Sequence, residues 1–98
     1  MNFEIKYLPP AVEDLNAIAN YLFRFYPHTY AKSLNQIEKR ILYLTDNPYM
    51  YEKQEGFPRY RRIIADKYLV LYRIDEESSV VEIYRILRAS WDIEQYIV

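Results

Sequence analysis

Arg59-Tyr-Arg-Arg-Ile-Ile-Ala65, Tyr68-Leu-Val-Leu-Tyr-Arg-Ile74 and Val80-Val-Glu-Ile-Tyr-Arg-Ile-Leu-Arg88 follow one another in the chain, and their reading decides the fold. Each run alternates with the period of a β-strand, and the breaks at Asp66-Lys67 and Asp75 to Ser79 read as turns. Together they predict a three-stranded meander. In the middle run Leu69 and Leu71 point one way, whereas Tyr68, Val70 and Tyr72 point the other. A strand that is apolar on both faces is central, and is either covered on both sides or open to a partner on one. Six of the eight arginines fall between Arg59 and Arg88, beside tyrosines. Guanidiniums so placed suit a surface for phosphate or carboxylate, and equally a solvent face paired with Asp and Glu.

Upstream, Phe3, Ile5 and Tyr7 alternate with Asn2, Glu4 and Lys6, which predicts a half-buried strand. Pro9-Pro10 end it and open a helix. Ala11, Leu15, Ile18, Leu22 and Phe25 then recur on one helical face, with Glu13 and Asp14 expected in the first turn, where the helix dipole favours negative charge. After a break at Pro27, a second stripe runs through Tyr30, Leu34, Ile37, Ile41 and Leu44. Thr29 is the expected N-cap, and Asn47-Pro48 is the stop. So short a connection predicts an αα-hairpin. Pro48 to Pro58 reads as a loop. Past the meander, Trp91 to Val98 is expected to form a short closing helix, with Ser90 as its N-cap and Trp91 as its anchor. The predicted order is β-αα-βββ-α, one α+β domain over residues 1–98 with a helical hairpin on a small, mainly antiparallel sheet.

Composition narrows the function classes. A single Gly excludes glycine-rich phosphate loops, and the absence of Cys excludes disulfides and thiolate metal sites. One histidine, His28, cannot build an imidazole cluster, so neither a metal nor a cofactor is expected. The net charge of −1 is incompatible with binding nucleic acid through bulk positive charge, although a local basic patch remains open. No run approaches membrane-spanning length, and the first ten residues lack a signal-peptide core. A cytoplasmic protein is expected.

Several segments together resemble the RelE/ParE superfamily of type II toxins: Ala11-Val-Glu-Asp-Leu-Asn-Ala-Ile-Ala-Asn-Tyr21, Ile41-Leu-Tyr-Leu-Thr-Asp-Asn-Pro48, Tyr60-Arg-Arg-Ile-Ile64, Tyr68 to Ile74, and Val81 to Leu87 followed by Asp92. The resemblance spans nearly the whole chain and rests on the order and spacing of the pieces. It implies a plasmid-stabilising toxin that halts growth and is neutralised by a small cognate antitoxin, with a toxin–antitoxin heterotetramer as one assembly. It also implies a target. ParE-like members inhibit DNA gyrase and are not known as catalysts, whereas RelE-like members cut mRNA on the ribosome. The long helical hairpin looks more like the ParE branch. An inactive antitoxin-binding module is a further alternative.

The resemblance places Arg61, Arg62, Arg73, Arg85 and Arg88 on a target-binding surface. A ribonuclease would use Arg62, Arg73, Arg85 and Tyr96, but cleavage needs a proton acceptor and a donor beside the cation. Where many family members carry Leu-His-Gly, this chain has Leu87-Arg88-Ala89, and arginine does not titrate near neutral pH. The structural alternative pairs Arg73 and Arg85 with Glu82 or Asp92, and Arg88 with Asp92. An apolar groove on the second face of the middle strand is expected to receive an antitoxin segment.

Overall fold

The computed structural model describes residues 2–97. Strand β1 (Glu4–Tyr7) leads into helix α1 (Pro9–Phe25), whose prolines occupy the first turn, where their missing N–H groups cost nothing. Helix α2 (Tyr30–Leu42) follows after a tight turn and runs into a 3₁₀ turn at Tyr43–Thr45. A two-residue strand β2 (Lys53–Gln54) precedes β3 (Phe57–Ala65), β4 (Tyr68–Asp75) and β5 (Val80–Arg88). The sheet order is β1-β5-β4-β3-β2, with β1 parallel to β5 and every other pairing antiparallel. The α+β architecture and the meander are as the alternation predicts.

The helices cover one face. Ala11, Ile37, Ile41 and Leu44 meet Ile63, Val70, Tyr72, Val81 and Ile83 in the larger core. Phe25, expected to end the buried stripe of α1, is instead 58 % exposed, with its ring 5.0 Å from that of Tyr21. Thr29 does sit at the N-cap position, but its side chain makes no capping bond. With the helix starting at Pro9, Glu13 and Asp14 lie past the first turn, and Asp14 has another partner.

Corrections also concern the second face. The closing helix expected over Trp91 to Val98 is a single 3₁₀ turn at Ile93–Gln95, and Val98 lies outside the described residues. Its N-cap is Asp92 rather than Ser90. So short a segment cannot offset the cost of helix nucleation, and it gains more by laying Ile93, Tyr96 and Ile97 on the sheet. Beneath them Tyr60, Leu69, Leu71 and Leu87 form a smaller core, with Leu71 fully buried. The chain's own tail therefore occupies the face on which an open apolar groove was expected.

Tyr72 is fully buried in the larger core, and its hydroxyl donates a 2.8 Å hydrogen bond to the Pro48 carbonyl. That bond ties the loop after α2 to the sheet. Burial pushes the phenol from its ordinary 10.0 up to about 12. The folded chain thus holds this proton more tightly than the unfolded chain, so the associated stability is complete below pH ~10 and is lost as pH rises through ~12, about 3 kcal/mol in all. Tyr72→Phe is expected to cost about 1 kcal/mol at pH 7 and to shrink the loss between pH 10 and 12. Urea unfolding across that range checks both effects. An unaltered alkaline loss in the variant would contradict this assignment.

Candidate functional site

The strand period distributes the arginines over both faces of the sheet. Arg61 lies opposite Tyr72 in the β3–β4 register and Arg62 opposite Leu71, so these neighbours point to opposite sides. Arg61, on the helical side, donates to the Tyr51 carbonyl at 2.6 Å and sits 5.4 Å from the centre of the Tyr49 ring. It fastens the loop. On the second face Arg62, Leu71 and Arg85 form one cross-strand row. Arg62 is held loosely, 3.5 Å from the exposed Glu52 carboxylate.

Two of the arginines are engaged by carboxylates. Arg73 lies opposite Glu82 in the β4–β5 register and donates to it at 2.6 Å, which raises the guanidinium's pKa. Arg85 makes a two-pronged contact with Asp14, at 2.7 Å through Nε and 2.9 Å through Nη2. Asp14 also accepts the Ile86 N–H at 2.9 Å. This geometry has a local cause. Strand β1 ends at Tyr7, opposite Ile83, so beyond that point β5 exposes an edge. The register slips between Leu71 and Tyr72, where Tyr84 is the extra residue of a bulge that re-aims β5. Asp14, projecting from α1, caps the bare edge and neutralises Arg85 with the same carboxylate. The hydrogen bonds to Asp14 raise the pKa of Arg85, so the guanidinium stays charged.

Tyr96 completes this corner. Its carbonyl accepts from Arg85 Nη1 at 3.3 Å, its ring lies 5.5 Å from the guanidinium, and Trp91 stacks on it at 5.1 Å. Trp91 therefore anchors the tail through Tyr96 rather than by sinking into the sheet; it is 43 % exposed. Arg88 lies opposite Tyr68, on the helical side, and makes no ion pair with Asp92 or any other described residue. Asp92 instead accepts from Gln95. His28 is exposed in the turn between the helices. Of the groups a ribonuclease would need, Arg85 and Tyr96 meet and Arg62 shares the cross-strand row of Arg85. Asp14 and Glu82 are each bound to an arginine, and Glu52 lies out in solvent beside Arg62. Among the described residues no group of three or more His, Cys, Asp or Glu could hold a metal ion, and no helix is long and apolar enough to cross a membrane.

The model of the ParE toxin of type II toxin–antitoxin systems matches residues 5–93. The chain belongs to the ParE toxin family. It is a type II toxin–antitoxin toxin of the ParE/RelE superfamily. Its fold is similar to that of a chain in the chromosomal ParDE system of P. aeruginosa, with a TM-score of 0.76 at 19 % identity over 88 % of this chain and 95 % of that one. A mutant E. coli RelE toxin in the free state aligns with a TM-score of 0.68 at 17 % identity, over 98 % of this chain and 92 % of that one. The intact E. coli RelBE toxin–antitoxin complex contains a chain that aligns with a TM-score of 0.64 at 17 % identity, over 91 % of this chain and 99 % of that one. Comparison with curated protein sequences gives no significant match.

In this ParE-family chain the residue that sequence reasoning missed is Asp14. Its signal was present. Asp14 lies three residues after Ala11 and one before Leu15, so an acid sits on the apolar stripe of α1, where an unpaired carboxylate is costly. Such a residue calls for a buried cation, and Arg85 supplies it.

Proposed function

We propose that this toxin halts bacterial growth by acting on DNA gyrase without cleaving nucleic acid, and that a cognate antitoxin neutralises it. The observation that carries the reading is the state of the proton-transfer groups. The carboxylates beside Arg73 and Arg85 are already committed to those arginines, and the only histidine is in the helical turn. Without a free base beside Arg73 and Arg85, a cation over a phosphate there does not cut RNA at a useful rate. The match to the ParE model supports the gyrase branch. Partnership is supported by the ParDE system of P. aeruginosa and by the RelBE complex of E. coli, in which toxins of this fold are paired with antitoxins.

One observation favours RelE-like cleavage as the second reading: Tyr96 lies against Arg85, a phenol beside a cation. Controlled expression separates the two. Filamentous cells with DNA-damage signalling, rescued by co-expression of the adjacent short reading frame, are the expected result. Rapid loss of translation with cuts in ribosome-bound mRNA would overturn it.

Arg62 is the arginine of the second face least committed to the fold, with one-third of its side chain exposed and only long contacts, 3.5 Å to the Glu52 carboxylate and 3.4 Å to the Lys53 carbonyl. We assign it to the target surface. Arg62→Ala is expected to change stability by less than about 1 kcal/mol, because exposed ion pairs contribute little, while weakening growth arrest. Melting curves alongside growth assays check this; full toxicity in the variant would remove Arg62 from the surface.

A further inference from the structure

A cavity of about 280 Å³ opens between the turn joining the helices and the turn joining β3 to β4, far along the sheet from the Arg73–Glu82 pair. Tyr21 and Tyr26 of the helical side, Ser33 of α2, Tyr68 of β4, Lys67 and Arg88 line it. A second, shallower opening bounded by Lys67, Arg88, Ala89 and Ser90 adjoins it, so the two cations stand between the two spaces. Their positions are fixed by backbone. Arg88 is in register with Tyr68 across the β4–β5 pair, and the Ala89 N–H donates to the Lys67 carbonyl at 2.8 Å. Asp66, at a left-handed φ of 57°, sets the turn that presents Lys67.

What distinguishes these cations from Arg61, Arg73 and Arg85 is that the fold does not use their charge, and what distinguishes Arg88 from Arg59, equally unpaired among the described residues, is that it is not fully exposed. Arg61, Arg73 and Arg85 each have a short partner, whereas neither the Lys67 nor the Arg88 side chain has a hydrogen bond or ion pair with any described residue. Arg88 is nevertheless half-buried. A partly desolvated guanidinium with no partner favours an anion, and its planar fork matches two oxygens of a phosphate. The hydroxyls of Tyr68, beside Arg88 on the sheet, and of Ser33, on α2, offer donors. The rings of Tyr21 and Tyr26, 6.2 Å apart, inclined at 50° to each other and both substantially exposed, offer an aromatic corner beside them. Asp66 also lines the cavity, so the local excess is one positive charge and a highly charged polyphosphate is disfavoured.

We propose that this cavity binds a phosphate monoester of nucleotide size, its phosphate on Arg88 and Lys67 and its ring against Tyr21 and Tyr26. The inference does not depend on which macromolecule the toxin acts on. The test is a titration of the full chain, followed by amide chemical shifts, with adenosine 5′-monophosphate, inorganic phosphate and adenosine as separate probes. Saturable shifts at Lys67, Tyr68 and Ser33 are expected with the monophosphate, weaker ones with phosphate and none with adenosine. Arg88→Gln is expected to weaken monophosphate binding at least tenfold with the melting temperature retained. Tyr21→Leu is expected to weaken it while leaving phosphate binding unchanged. No saturable shift with either phosphate probe, binding indifferent to Arg88→Gln, equal binding of adenosine, or a response only to an oligonucleotide lacking terminal phosphates would each overturn the proposal. If Arg88→Gln fails to fold, Lys67→Gln, in an exposed turn, replaces it with the same expected loss.

Discussion

Arg85→Ala is expected to lower the free energy of unfolding by about 3–5 kcal/mol, the loss typical when one member of a buried ion pair is removed. The pair is largely withdrawn from water, with 20 % of the Arg85 side chain and 15 % of the Asp14 side chain exposed. Removing the guanidinium leaves a carboxylate between α1 and the bare edge of β5 with only the Ile86 N–H to satisfy it. A domain of this size loses roughly 4–8 °C of melting temperature per kcal/mol, so the transition should fall by more than about 10 °C. Arg85→Lys keeps the charge but not the planar fork, and is expected to fall between wild type and Arg85→Ala. Arg73→Ala provides the contrast. That arginine is 43 % exposed, and losing its contact with Glu82 should cost about 1 kcal/mol. Calorimetry on the three variants checks the ranking. Equal melting temperatures for Arg85→Ala and wild type would show that α1 is not held to β5 through Asp14.

Leu71→Ala is expected to cost about 2–5 kcal/mol, because Leu71 is fully buried at the centre of the second face and a cavity there has few ways to collapse. The row in which it stands, between Arg62 and Arg85, is the floor that a catalytic reading would need to keep open. Tyr60 and Tyr84 stack beside it at 4.8 Å, and Ile93, Tyr96 and Ile97 close over it. If instead the tail rested loosely and the floor were a solvent-filled site, the substitution would change stability by well under 1 kcal/mol. Denaturant unfolding distinguishes these outcomes.

How much of this was legible in the chain depends on whether the cause is local. The meander, the helical hairpin and the central position of Tyr68 to Ile74 follow from periodicity, since a strand or helix buries one face whatever its partners are. The prolines at Pro9, Pro10 and Pro48 mark boundaries for the same local reason. What escaped was long-range. Nothing near Arg85 announces that its partner is Asp14, because the contact forms only after α1 packs on the part of β5 that β1 leaves bare. The bulge at Tyr84 and the two-residue β2 depend on register rather than composition. The tail was misjudged because Ile93, Tyr96 and Ile97 recur at a spacing compatible with a helix, yet what they satisfy is the apolar surface of Leu69, Leu71 and Leu87. Of the arginines singled out for a target surface, periodicity separated Arg61 from Arg62 correctly. It could not tell which guanidiniums the fold would consume.

The claim that this toxin acts on gyrase without cutting nucleic acid is met most directly by one paired measurement on the purified chain. Supercoiling by DNA gyrase and integrity of ribosome-bound mRNA are followed in parallel at the same toxin concentration, with and without the cognate antitoxin. The account predicts loss of supercoiling, restored by the antitoxin, with the mRNA intact. Unimpaired supercoiling together with antitoxin-sensitive cleavage of the mRNA would contradict it.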